Sequence, residues 1–162
     1  MYDRLVLILV ETISWGKYII VAIAAFFLLS GLNKYGYSSD LAILTGFRAA
    51  RNLLSSLFAG SIITPILLPW IPGKNFSFKG FFIGFWVVFV FNLFEFLATG
   101  IIEKISWIFI IPALSSFIAM NYTGTSTYTF LSGARKEMRT AVPLQLTASL
   151  VGLILWITGR FV

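Results

Sequence analysis

The chain has no cysteine and no histidine, and only 11% of its 162 residues are charged. Those absences exclude thiolate and imidazole metal ligands, cysteine-held iron–sulfur clusters, cysteine or histidine nucleophiles and disulfides. Absent cysteines also leave the redox compartment unread. Soluble domains carry about 25% charged residues. This chain is instead 59% hydrophobic and 17% aromatic, with a mean hydropathy of +0.93. A soluble core cannot hide that much apolar surface, so the solvent is read as lipid. No Gly-rich phosphate loop, metal-ligand spacing, paired catalytic carboxylates, internal repeat or low-complexity tract is present.

What remains is one membrane domain spanning residues 1–162, with no room for a soluble catalytic domain. The expected fold class is an all-α membrane protein, a bundle of about five transmembrane helices behind a short N-terminal interfacial lead-in. The lead-in covers residues 5–10 with Ile13 and Trp15, and Asp3, Arg4, Glu11 and Lys17 lie on its polar side. Its apolar run is short and interrupted, so it is not read as a signal peptide. The spans are placed at about 18–32, 53–70, 80–98, 105–120 and 134–158. A separate short helix at 41–50 carries Arg48 and Arg51. The second span is expected to end sharply where Pro65, Pro69 and Pro72 deny the helix its hydrogen bonds. Pro112 predicts a kink in the fourth span, and Ser132 is placed as the N-cap of the fifth.

The formal net charge of +6 is read as topology and surface anchoring rather than nucleic-acid binding. No basic cluster is interleaved with aromatics in the way a nucleic-acid groove requires. With the N-terminus inside, the inner segments carry Arg4, Lys17, Lys74, Lys79, Arg135, Lys136 and Arg139. The outer ones carry Lys34, Arg48, Arg51, Lys104 and Arg160. This is seven against five, a small bias toward a cytoplasmic N-terminus.

Two groups of residues are candidates for function. Asn92 and Glu95, three apart, are expected to share a face inside the third span. An ionisable residue in a span is a functional candidate, although near the outer interface Glu95 would simply pair with Arg48 or Arg51. The second group is a polar island at 121–139. It holds Asn121, Thr123, Thr125, Ser126, Thr127, Thr129 and Ser132, followed by Arg135, Lys136 and Arg139. Hydroxyls can line a polar path, cap helices or meet a partner's backbone, and a helix start after Gly133 leaves amides for an anion. An ordinary cytoplasmic loop with a positive-inside cluster is the plainer alternative.

The island Asn121-Tyr-Thr-Gly-Thr-Ser-Thr-Tyr-Thr-Phe-Leu-Ser-Gly-Ala-Arg-Lys-Glu-Met138 resembles the C-terminal membrane segment of the mercury-methylating corrinoid protein family (HgcA). The opening Tyr2-Asp-Arg-Leu-Val-Leu7 is similar to that family too. So are Thr64-Pro-Ile-Leu-Leu-Pro-Trp-Ile-Pro-Gly-Lys74 and Pro112-Ala-Leu-Ser-Ser-Phe117. The resemblance covers essentially the whole chain, and the island is its specific part. In that family a cytoplasmic domain holds a corrinoid through a cap-helix cysteine. A ferredoxin-like iron–sulfur partner reduces the cobalt, and the methyl group passes to mercury(II). This chain lacks the corrinoid domain, the cap helix and the cysteine, so no catalytic, cofactor-binding or metal residue carries over.

The resemblance implies a five-helix domain of the cytoplasmic (inner) membrane with a cytoplasmic N-terminus. The island would face a corrinoid-binding domain or subunit, and a ferredoxin-like iron–sulfur reductant would be a further partner. The expected function is therefore membrane anchoring and docking, with no methyltransferase activity of the chain alone. A small transporter or channel is the alternative, with Glu95 as its test residue. An intramembrane enzyme ranks last.

Overall fold

The computed structural model describes the backbone of residues 2–71, 75–125 and 131–162, and the side chains of 16–71, 75–121 and 136–162. It is an all-α bundle, as the composition requires. The elements are α1 (Tyr2–Ser30), a two-stranded hairpin of β1 (Leu32–Asn33) and β2 (Gly36–Tyr37), and α2 (Ser39–Phe58). A π-helical stretch (Ala59–Ile63) then leads into α3 (Thr64–Leu67), followed by α4 (Phe76–Leu93), α5 (Ile101–Thr125) and α6 (Leu131–Thr158). Among the described residues four stretches are long and apolar enough to cross a membrane: Ser39–Leu67, Phe76–Leu93, Ile101–Asn121 and Lys136–Thr158. Gly16–Ser30 is a shorter apolar helix. This fits a multi-pass membrane protein.

Several boundaries differ from those read in the sequence. The lead-in and the first span are one helix, α1. The short helix at 41–50 and the second span also form one run, Ser39–Leu67. Pro65 lies inside that run rather than ending it. A proline removes one backbone donor and crowds the preceding turn, and here the turn before it is π-helical. Thr64 donates both its N–H and, at 2.7 Å, its hydroxyl to the Ala59 carbonyl, so that carbonyl stays paired. Pro112 and Pro143 likewise lie within α5 and α6. Because α6 starts at Leu131, Ser132 falls in its first turn instead of capping it.

The third span ends five residues sooner than expected. At the end of α4, Phe94 is the C-cap and Glu95 adopts a left-handed φ of 56°. Glu95 N–H donates to the Asn92 carbonyl at 3.2 Å, and Phe96 N–H donates to the Phe91 carbonyl at 2.8 Å. The Phe91 and Phe96 rings meet edge to face at 6.4 Å. These are the two reversed hydrogen bonds and the apolar contact of a Schellman stop. Asn92 and Glu95 therefore do not share a helix face, and both are exposed.

The helix α5 is central. Antiparallel neighbours α4 and α6 pack along it, and α2 with its π turn packs on another side. Close approach to α4 depends on Gly80 and Gly84, a small-xxx-small spacing. A Cβ on Gly84 would lie 2.7 Å from the Pro112 Cα, and one on Gly80 would lie 2.8 Å from the Ser115 carbonyl oxygen. Ser115 and Ser116 hydroxyls then donate to the Gly80 and Ser77 carbonyls at 2.8 and 2.7 Å. The main core surrounds the fully buried Trp107 and Trp156. The Phe26 ring lies 5.7 and 4.8 Å from them. Chain direction puts the starts of α1, α4 and α6 at one end of the bundle, here the first end. The hairpin, the 94–100 turn and the C-terminus lie at the second end.

Candidate functional site

Polar side chains gather at both ends. At the second end Asn52, fully buried, donates to the Leu97 carbonyl at 2.9 Å. Arg48 donates to the Thr99 hydroxyl at 2.9 Å, and Arg51 donates to the Phe96 carbonyl. The Arg51 guanidinium also lies over the Phe96 and Phe91 rings, 5.1 and 5.8 Å from their centroids. Among the described residues neither arginine pairs with Glu95, the plainer of the two alternatives drawn for it from the sequence. The left-handed turn at Glu95 brings backbone carbonyls to the arginines and leaves the carboxylate exposed. Among the described residues the ion pair of this end is Arg160–Glu103, at 2.9 Å. Burial holds the Arg160 guanidinium below its ordinary value; Glu103 offsets this only in part, and Arg48 adds to the lowering.

At the first end a chain of hydrogen bonds crosses three helices. Glu137 Oε1 accepts from the Ser77 N–H and from the Ser77 hydroxyl, both at 2.6 Å. The N-cap of α4, Asn75, makes no side-chain cap bond. Glu137, sixty positions away in the chain, therefore supplies an acceptor that the first turn of α4 otherwise lacks, at the positive end of its dipole. Gln145 Nε2 donates to Ser116 Oγ at 2.7 Å. The single hydroxyl proton of Ser116 is committed to the Ser77 carbonyl, so Ser116 must accept from the amide. This fixes the orientation of the glutamine. Its Oε1 is buried with no donor. Lys79 is also buried and donates to the Leu68 carbonyl at 2.8 Å, which directs its charge back to the end of α3.

Beside this chain lies a groove of about 530 Å³ between α4 and α6, with α5 as its floor. Phe78, Phe81 and Phe85 form one wall, Thr140, Leu144 and Ala148 the other, and Ser77, Ser116 and Gln145 its polar end.

The polar island divides among three settings. Asn121, Thr123 and Thr125 lie in the last turns of α5, and Ser132, Arg135, Lys136 and Arg139 lie in the first turns of α6. Ser126, Thr127 and Thr129 lie outside the described residues, as do the side chains of Thr123, Thr125, Ser132 and Arg135. Asn121 donates to the Phe117 carbonyl of its own helix at 3.0 Å. Lys136 and Arg139 are exposed. The sequence reading missed Ser77, Ser116, Glu137 and Gln145. One signal was available: Gln145 is the chain's only glutamine and sits in an apolar run, where polar residues are rare and costly.

No family model, curated protein or solved structure matches the chain.

Proposed function

We propose that the chain is a membrane-anchoring and docking domain of a corrinoid-dependent methyl-transfer system of the mercury-methylating kind, without catalytic residues of its own. The observation that supports this reading best is the charge at the start of α6. Glu137 is engaged by Ser77, while Lys136 and Arg139 remain exposed. The exposed charge there is cationic, and it lies at the end of the bundle where α1 begins. That is where the resemblance puts a preceding cytoplasmic domain, with the first end facing the cytoplasm across the inner membrane. The partners would be a corrinoid-binding domain or subunit and a ferredoxin-like iron–sulfur reductant.

This chain does not fit a corrinoid or its cobalt as a resident group. It has neither histidine nor cysteine, and no cluster of three His, Cys, Asp or Glu occurs among the described residues. The corrinoid would be carried by the partner. The contribution of this chain would be positional: tethering converts an encounter into an intramolecular one, at effective concentrations up to the order of millimolar.

The test is a mild-detergent pull-down of the tagged chain from its host, read by cobalt analysis and corrinoid absorbance. Stoichiometric cobalt, reduced at least severalfold by Lys136→Glu with Arg139→Glu, is the expected result. An intact fold with no cobalt-bearing partner overturns docking. Flux in reconstituted vesicles, abolished by Glu95→Gln, would replace docking with the transporter reading.

A further inference from the structure

At the second end, Arg48 and Arg51 carry positive charges that no carboxylate among the described residues matches. They stand at i and i+3 on one face of α2, and both reach the turn between α4 and α5. Arg48 donates to the Thr99 hydroxyl and Arg51 to the Phe96 carbonyl, so each holds a neutral acceptor. Arg160 joins them from beyond the end of α6, and the charge of Arg48 acts on both Arg51 and Arg160. Among the described residues Glu103 pairs with Arg160 alone, while Asp40 and Glu95, also at this end, pair with no arginine. Three guanidiniums thus share one carboxylate, an excess of two charges.

Like charges on neighbouring positions repel, and long surface side chains are free to splay apart. Here contacts hold them together. Thr99 fixes Arg48, and the Phe96 carbonyl with the Phe91 and Phe96 rings fixes Arg51. Each guanidinium has five N–H donors, so most remain for an anion. Thr99 accepts from Arg48 and keeps its own hydroxyl proton to donate. A Cβ on the neighbouring Gly100 would meet nothing within 4 Å, so the space beside the turn is open.

Depth selects the kind of anion. The 94–100 turn is non-helical, and Glu95, Thr99 and Gly100 are exposed. Exposed irregular backbone does not occur against hydrocarbon, so the turn marks the membrane surface at this end. Phe47, next in the chain to Arg48, and Phe94 and Phe96 in the turn are all exposed. The guanidiniums therefore lie at headgroup level with bare aromatic rings around them. A lipid phosphate with its acyl chains matches both features, and a soluble anion matches only the first. A zwitterionic headgroup would bring its own cation to a place already in positive excess.

We infer that the second end carries a site for a net-anionic phospholipid, its phosphate held by Arg48, Arg51 and the Thr99 hydroxyl and its chains lying against the exposed rings of Phe47, Phe94 and Phe96. The inference is independent of the docking reading, because it depends on no partner protein and on neither orientation of the bundle.

The experiment is a lipid titration of the detergent-purified full chain by native mass spectrometry. The probes are palmitoyl-oleoyl phosphatidylglycerol and the phosphatidylcholine with the same chains, which differ in net charge. The wild type is expected to bind phosphatidylglycerol more tightly by about tenfold or more, the scale of two basic groups at a charged surface. Arg48→Gln should cut that preference about fivefold, the share of one such group. Lys136→Gln with Arg139→Gln removes twice the charge at the first end and should leave the preference unchanged. Excess inorganic phosphate, at matched ionic strength, should not displace the lipid. Equal affinities in the wild type would overturn the inference. So would a preference undiminished in Arg48→Gln, or one that falls as far in the first-end variant, which would make it an effect of net charge alone. Displacement by phosphate would overturn the lipid and assign the arginines to a soluble anion. Arg48→Gln removes a bond to the exposed Thr99 hydroxyl and strands no buried group, and circular dichroism checks its fold. If it does not fold, the wild-type preference and its persistence in the first-end variant still decide the matter.

Discussion

Arg160 donates to Glu103 Oε1 at 2.9 Å and joins the residues just after α6 to the first turn of α5. Both side chains are about nine-tenths buried, and the guanidinium also lies 4.5 Å from the centroid of the Trp156 ring. Removing one partner strands the other charge. Glu103→Ala should therefore cost about 3 kcal/mol of stability. Glu103→Leu combined with Arg160→Leu should recover much of that loss, because no buried charge remains. Unfolding curves in mixed micelles of the single and double variants measure both.

Glu95 occupies a left-handed position that suits glycine better. The strain for an L-residue there is about 1 kcal/mol, and Glu95 makes no ion pair in return among the described residues. Glu95→Gly should raise stability by up to that amount, offset in part by the greater freedom of glycine in the unfolded chain. A thermal melt in detergent checks the sign. A clear loss of stability would mean that the carboxylate has a role this turn does not account for.

Gly84 meets the backbone of α5, not a flexible side-chain tip. Gly84→Ala should push α4 from α5 and cost about 2 kcal/mol, the scale of overpacking a tight contact. Ala113→Gly on the facing helix should not rescue it, since the clash is with Pro112. Unfolding curves of the single and double variants test this.

Glu137 serves α4 from another helix. Glu137→Ala should cost about 1 kcal/mol, as for loss of a helix cap. Ser77→Ala should give a smaller loss, because the Ser77 N–H still reaches the carboxylate. Hydrogen exchange of the first amides of α4 should accelerate in Glu137→Ala and remain close to wild type in Ser77→Ala.

Some of this was legible in the residues. Low charge and long apolar runs are sums over local composition, and they identified the helical, lipid-facing class directly. The helix ends were harder. The end of α4 is a Schellman turn whose left-handed residue is glutamate. A hydropathy reading continues through Phe94–Glu95–Phe96 because the flanking residues are apolar. Pro65 looked like a stop because the π-helical turn before it, which sets the proline in the first turn of a new α segment where its missing N–H is tolerated, cannot be seen from composition. The small-xxx-small spacing of Gly80 and Gly84 was present as a pattern, but the surface it meets on α5 was not.

By itself the sequence determined the solvent, the absence of cysteine and histidine chemistry, and the concentration of polar groups near 121–139. Tertiary structure alone decided which polar groups meet. Arg51 reaches the Phe96 carbonyl across 45 positions, and Glu137 reaches Ser77 across 60. The reason is range. Burial preference and helix formation act through near neighbours, so they can be read along the chain. A hydrogen bond between helices depends on crossing geometry, which glycine contacts and side-chain volumes set across the whole bundle. The unpaired Gln145 acceptor and its groove exist only at that level, because they arise where α4 and α6 both pack on α5.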